Sequence, residues 1–269
     1  MSSSLNLAHD IHPPRQADLS LDQPMIILHG LFGSSGNWRS IARRFADRRS
    51  VICLDLRNHG KSPWAREMDY ETMASDVANF IQQHSLKKPI LVGHSMGGKT
   101  VMKMLLNNLV PVSKAIVLDI APVGYAHDHL ELLDAMRNTS IRDAANRSDV
   151  DQLLARSIED PSLRAFLAQN AVRSGDGFQW RVNLNSIHTN MSKLLDFDRK
   201  DKVSSTPTLF LGGGESDYML PKYHQEIRTA FPKAQIDMLD GAGHWLHAEK
   251  PTELIERMSG FLSTPETEV

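Results

Sequence analysis

Pro89-Ile90-Leu91-Val92-Gly93-His94-Ser95-Met96-Gly97-Gly98-Lys99-Thr100-Val101-Met102 is the stretch on which the fold of this chain turns. Ile90 to Val92 is a short apolar run of the kind that forms a buried strand. From Met96 onward helix formers carry apolar residues at 101, 102, 104, 105 and 106. Between strand and helix, G-x-S-x-G puts Ser95 at the tip of a tight turn, and the flanking glycines let the two elements pass without side-chain clash. A hydroxyl held there is presented to a substrate carbonyl. Glycine-serine turns also occur by chance, so the strand before and the helix after carry the inference.

Outward from this turn, short apolar runs recur at Met25 to Leu28, Val51 to Leu54, Ala115 to Leu118, Thr208 to Leu211 and Ile236 to Leu239. Helical patterns alternate with them. Met73, Val77, Phe80 and Ile81 share one helix face, and Leu254, Ile255, Met258, Phe261 and Leu262 repeat the pattern near the C-terminus. Strands apolar throughout, with helices between, predict an α/β fold with a mostly parallel sheet covered on both faces. From Gly124 to Ser204 the spacing is helical with no convincing buried strand, and Asp160-Pro161 reads as an N-cap followed by a first-turn proline. That is too long for an ordinary loop. The expectation is a core of residues 1–123 and 205–269 carrying a helical cap of 124–204.

Composition narrows the function classes. Across 269 residues the net charge is −2, and no basic block suggests nucleic acid as a partner. The one cysteine, Cys53, lies in an apolar run and reads as a small buried hydrophobe. No apolar run approaches the ~20 residues of a membrane span, and Met1 to Gln16 lacks the pattern of a secretory signal, which predicts a cytoplasmic protein. No spacing suggests a metal site, and no cofactor is expected.

A serine hydroxyl needs a base and a group that orients the base. His244, in Gly241-Ala242-Gly243-His244 after the last predicted strand, sits where a Ser…Asp…His chain order puts the base; His247 is a rival. For the acid, Asp119 ends the strand Ala115 to Leu118, and Asp217 follows the strand Thr208 to Leu211. Both lie at carboxyl ends of strands, where such sheets build their sites, and spacing does not separate them. The backbone N–H of Met96 is one donor for a developing oxyanion. Leu31, in His29-Gly30-Leu31-Phe32-Gly33-Ser34, supplies the second. Asp55-Leu56-Arg57-Asn58-His59-Gly60-Lys61-Ser62 lacks phosphate-loop spacing; a buried Asp–Arg contact bracing a sharp turn is the better reading.

The motifs His29 to Ser34, Asp55 to Ser62, Gly93 to Lys99 and Gly241-Ala242-Gly243-His244-Trp245-Leu246-His247-Ala248-Glu249-Lys250-Pro251, in this order, resemble the α/β-hydrolase superfamily. Within it the chain is most similar to the YbfF-type bacterial esterases, through Val117 to Val123 and Trp180 to Leu184. The resemblance implies Asp119 as the acid, with Asp217 as runner-up, and Ser216 as a hydroxyl that helps hold the histidine. Glu215 and Asp217 depart from the family pattern by adding two carboxylates, which would share the acid role or raise the histidine's pKa. The implied substrates are short-chain acyl esters and acyl-CoA thioesters. Rival readings are C–C bond hydrolysis, lactone opening, perhydrolysis, or a catalytically silent small-molecule receptor. Trp180, Arg181 and Trp245 are the side chains expected to matter in the acyl pocket.

Overall fold

A computed structural model describes residues 4–15, 23–126 and 129–264. Among the described residues nine strands run as β1 His9–His12, β2 Met25–Leu28, β3 Val51–Leu54, β4 Ile90–His94, β5 Ala115–Leu118, β6 Ala171–Ser174, β7 Gly177–Trp180, β8 Thr208–Gly213 and β9 Ala234–Leu239. The α-helices are α1 Arg39–Phe45, α2 Tyr70–Gln83, α3 Met96–Leu106, α4 Leu130–Asn138, α5 Arg147–Leu154, α6 Pro161–Ala168, α7 Leu184–Leu195, α8 His224–Ala230, α9 Leu246–Glu249 and α10 Pro251–Ser263.

Seven strands form one sheet in the order β1-β3-β2-β4-β5-β8-β9. All pairings are parallel except β1 with β3. The inner strands are buried at every position because both faces are covered. Ile26, Leu28, Ile52, Leu54, Leu91 and Val117 face α2 and α3, whereas Met25, Ile27, Val51, Cys53, Val92 and Ile116 face α1 and α10. Burial pushes the Cys53 thiol up to about 12, so it packs and does not react.

Two features depart from expectation. The antiparallel edge strand β1, His-Asp-Ile-His, carries no apolar run, and Ile11 is 53% exposed. It is held by backbone pairing with β3, which hydrophobic patterning does not register. The segment between β5 and β8 contains α4 to α7, but it is not all-helical: β6 and β7 make an antiparallel hairpin turning at Gly175, φ +60°. Its strands are four residues long and half-exposed, too short for a period-two signal to stand out. The cap on α6 follows the sequence, since Asp160 accepts the Ser162 and Leu163 N–H groups ahead of Pro161.

Candidate active site

Ser95 lies between the last residue of β4 and the first of α3, with φ 51° and ψ −115°. Non-glycine residues rarely adopt that region, and the surrounding structure must hold it. Its N–H donates to the Leu118 carbonyl (2.9 Å) on β5 and its carbonyl accepts from Lys99 N (3.0 Å). The glycines answer a steric need: a Cβ on Gly93 would collide with the Gly97 backbone, and one on Gly97 with the Leu28 carbonyl. Any side chain at either position would force β2, β4 and α3 apart.

Asp119 follows β5 directly, fully buried and also left-handed, φ 50°. Its Oδ2 accepts from His244 Nδ1 (2.7 Å) and from Ser216 Oγ (2.5 Å), and its Oδ1 accepts from Gly213 N (2.9 Å). A carboxylate acceptor on Nδ1 assigns the proton to that nitrogen and leaves Nε2 with a lone pair. Asp217 and Glu215 are exposed, and their carboxylates make no hydrogen bond or ion pair among the described residues. The structure therefore brings Asp119, Ser216 and His244 together and leaves Asp217 and Glu215 outside.

Two further residues, His94 and Tyr218, position His244, and neither was among the candidate site residues. His94 Nε2 donates to the His244 carbonyl at 2.8 Å, pinning the loop after β9 to the turn that carries Ser95. Burial, reinforced by His244 and His247 nearby, holds the His94 imidazole well below its ordinary pKa, so it donates as a neutral ring. The Tyr218 ring stacks on His244 at 4.2 Å, and its hydroxyl lies 3.3 Å from His129 Nε2. His247 stacks on Trp38 at 4.4 Å; burial pushes it down to about 4.

The 29–33 loop is braced by two buried neutral histidines, each used at both nitrogens. His29 Nδ1 donates to the Gly30 carbonyl (2.8 Å) while its Nε2 accepts from Leu56 N (3.0 Å). His59 Nδ1 donates to the Arg57 carbonyl (3.0 Å) while its Nε2 accepts from Phe32 N (3.1 Å). Phe32 is itself left-handed, φ 61°, and its carbonyl accepts from Asn170 Nδ2 (2.7 Å). Burial pushes His59 down to about 3, which keeps the acceptor lone pair available. Next to this fixed point, Leu31 N–H has no acceptor among the described residues, and neither does Met96 N–H at the start of α3.

The Asp55 to Ser62 turn is braced differently from expectation. Asp55 accepts backbone N–H groups of Ser35 (2.6 Å) and Lys61 (2.8 Å), and Arg57 pairs with Asp76 on α2 instead. That pair is bidentate, with Nε to Oδ2 at 2.7 Å and Nη2 to Oδ1 at 2.9 Å, and fully buried. The sequence placed Asp55 and Arg57 two residues apart, but the fork reaches a carboxylate nineteen positions away.

Two cavities meet at Ser95. The first, about 520 Å³, is bordered by Ser95, His244, Trp245, Leu132, Leu163 and Phe166. The second, about 410 Å³, is bordered by Ser95, Met96, Lys99, Tyr125, Met191 and Leu194. Leu31 borders both. Trp180 and Arg181 border neither; Trp180 lines a shallow outer depression beside Trp64, and Arg181 reaches Ser34 Oγ at 3.4 Å. Among the described residues no group of His, Cys, Asp or Glu could hold a metal ion, and no helix is long and apolar enough to cross a membrane.

A strained serine after the fourth strand, a carboxylate after the fifth and a histidine after the last define the site architecture of a family. Residues 23–251 match the model for the alpha/beta hydrolase fold, and the chain belongs to that family. Among curated relatives it is 38% identical over 247 residues to the sn-1-specific diacylglycerol lipase ABHD11 of Mus musculus, covering 89% of this chain and 80% of that protein. It is 32% identical over 243 residues to Esterase YbfF of Escherichia coli, covering 90% and 94% respectively. Among solved structures, one described as a marine microorganism esterase superposes with a TM-score of 0.90 at 36% identity, covering 96% of this chain and all of the other.

Proposed function

We propose that this chain is a serine carboxylic ester hydrolase in which Ser95 is the nucleophile, His244 the general base and acid, and Asp119 the orienting carboxylate. The observation that carries the reading is the 2.7 Å contact from His244 Nδ1 to a buried Asp119 at the edge where Ser95 is strained outward. His244 Nε2 takes the Ser95 proton as Oγ attacks the ester carbonyl, and returns it to the departing alcohol oxygen. Water then repeats the sequence on the acyl-enzyme. The N–H groups of Leu31 and Met96 receive the oxyanion, each typically contributing about 3 kcal/mol at the transition state. Ser216 and Gly213 hold the Asp119 carboxylate while it stabilises the imidazolium.

The two cavities divide the substrate. The group that protonates the leaving oxygen must stand beside it. His244 borders the first cavity and not the second, so the alcohol occupies the first and the acyl group the second. Residues 124–204 act as a cap, contributing Leu132, Leu163 and Phe166 to the alcohol side and Met191 and Leu194 to the acyl side. Tyr70, Tyr125, Met191 and Leu194 line the acyl side, and these bulky side chains favour short acyl chains. Thioesters run through the same steps, with the proton on His244 returned to the departing sulfur so that a thiol leaves.

Turnover of ethyl esters of two to twelve carbons and of acetyl-CoA, followed by acid or thiol release, tests this. Rates fall beyond short chains and vanish in Ser95→Ala, which retains the wild-type circular dichroism spectrum. Undiminished hydrolysis by that variant would contradict the mechanism.

A further inference from the structure

Lys99 has no part in the proposed chemistry, yet it lies one helical turn after Ser95, is 1% exposed and borders the second cavity. Helical side chains lean toward the N-terminus, so it rises along the same face of α3 as the serine. Nζ donates to the carbonyls of Leu195 (2.9 Å) and Asp196 (3.2 Å). Around it lie three aromatic rings, Tyr125 at 4.9 Å, Tyr70 at 5.4 Å and Phe197 at 5.8 Å.

Two other buried lysines set the standard against which this one is incomplete. Lys103, the next turn along, has an ionic partner in Glu71 at 3.3 Å. Lys114 donates to three carbonyls at the end of α10, those of Phe261, Leu262 and Thr264. Lys99 has two carbonyls and no carboxylate within 4 Å among the described residues. A buried ammonium without an anion is costly, and the cost is removed when an anion arrives. The Tyr70 and Tyr125 hydroxyls are already committed, donating to the carbonyls of Leu194 (2.6 Å) and Tyr218 (2.7 Å), whereas the ammonium has three N–H donors for two carbonyls.

We propose that the second cavity is a subsite for an acyl group ending in a carboxylate, received by Lys99, so that the preferred substrates are half-esters of short dicarboxylic acids. The inference rests on Ser95 as nucleophile and on the acyl group occupying that cavity. Burial pushes the Lys99 ammonium down to about 7 against the opposing pull of Asp196, and a docked carboxylate favours the charged form.

The test compares monoethyl glutarate with ethyl valerate, which match in length and differ at the acyl terminus, and adds carboxymethyl butyrate, which carries its carboxylate on the alcohol side. The wild-type enzyme shows kcat/KM at least about tenfold higher for monoethyl glutarate than for either other ester, the size of one charge-assisted hydrogen bond. Lys99→Met and Lys99→Gln lower kcat/KM for monoethyl glutarate at least about tenfold more than for ethyl valerate. Equal wild-type rates on glutarate and valerate esters overturn the proposal while leaving the serine mechanism standing. So does an equal loss on both esters in the variants, which would make Lys99 only a tie to residues 195–196. Preference for carboxymethyl butyrate moves the anion to the alcohol side and also overturns it. No turnover of any ester would overturn the nucleophile assignment together with this inference.

Discussion

At the carboxyl ends of β4 and β5, Ser95 and Asp119 are held in left-handed backbone conformations, each with its N–H donated to the neighbouring strand, and the Asp119 carboxylate is committed to His244, Ser216 and Gly213. Across the cavities, α4, α6 and α7 offer Leu132, Leu163, Phe166, Met191 and Leu194, apolar side chains on helices whose outer faces are solvated. The first region is specified by hydrogen bonds with little tolerance in position, the second by volume and hydrophobicity, which tolerate substitution. The difference assigns reaction rate to the sheet edge and substrate choice to the helices. Changes at the edge should therefore lower kcat for every ester alike, and changes in the helices should reorder the esters.

The largest expected effect is at the carboxylate. Asp119→Asn keeps its amide oxygen on Gly213 N and turns an NH2 donor toward His244 Nδ1, which reverses the His244 tautomer, and kcat falls by roughly 10⁴-fold on all esters. Asp217→Asn, at an exposed carboxylate without a partner among the described residues, changes kcat by less than about threefold. Stopped-flow or pH-stat kinetics on the two variants decides the matter, and the reverse ranking would move the acid to Asp217.

Next in size is the acid sensitivity of the braced edge. His29, His59 and His94 are buried with pKa values depressed by burial, His59 to about 3. The unfolded chain binds protons near pH 6.5 while these native rings stay neutral, so stability is full above that pH and is lost as pH falls toward the folded values. Thermal denaturation should show Tm dropping between pH 6.5 and 5, where most carboxylates remain ionised, and His59→Leu should flatten that slope. A flat wild-type profile over this window would contradict the neutral-histidine brace.

The smallest effect is expected in the helices. Phe166→Ala enlarges the alcohol side, leaves kcat on ethyl esters within about threefold, and shifts preference toward bulkier alcohols by about tenfold in KM. A uniform loss of kcat across alcohols would break the division between the two regions.

How much of this was legible in the sequence follows the same division. The apolar strands, the turn at Ser95, the loop of His244 and the cap at Asp160 each announce themselves through local patterns. Choosing between Asp119 and Asp217 required knowing which strand end faces His244, and resemblance, not spacing, favoured Asp119. The pairing of Arg57 with Asp76, the His94 bond to the His244 carbonyl and the stacking of Tyr218 are contacts between residues far apart in the chain, and no local pattern encodes them. Edge strand β1 and the β6–β7 hairpin were missed because their pairing is by backbone and their strands are short. Trp180 and Arg181 are distinctive residues, but distinctiveness does not fix position, and neither borders the two cavities.

The central claim is that strain and position make Ser95 the one acyl-accepting hydroxyl. Reaction of the wild-type protein with a fluorophosphonate, read by intact mass and peptide mapping, tests this most directly. The expected result is a single adduct on Ser95, slowed by Asp119→Asn and absent in Ser95→Ala. An adduct on any other residue, or continued labelling of Ser95→Ala, would contradict the account.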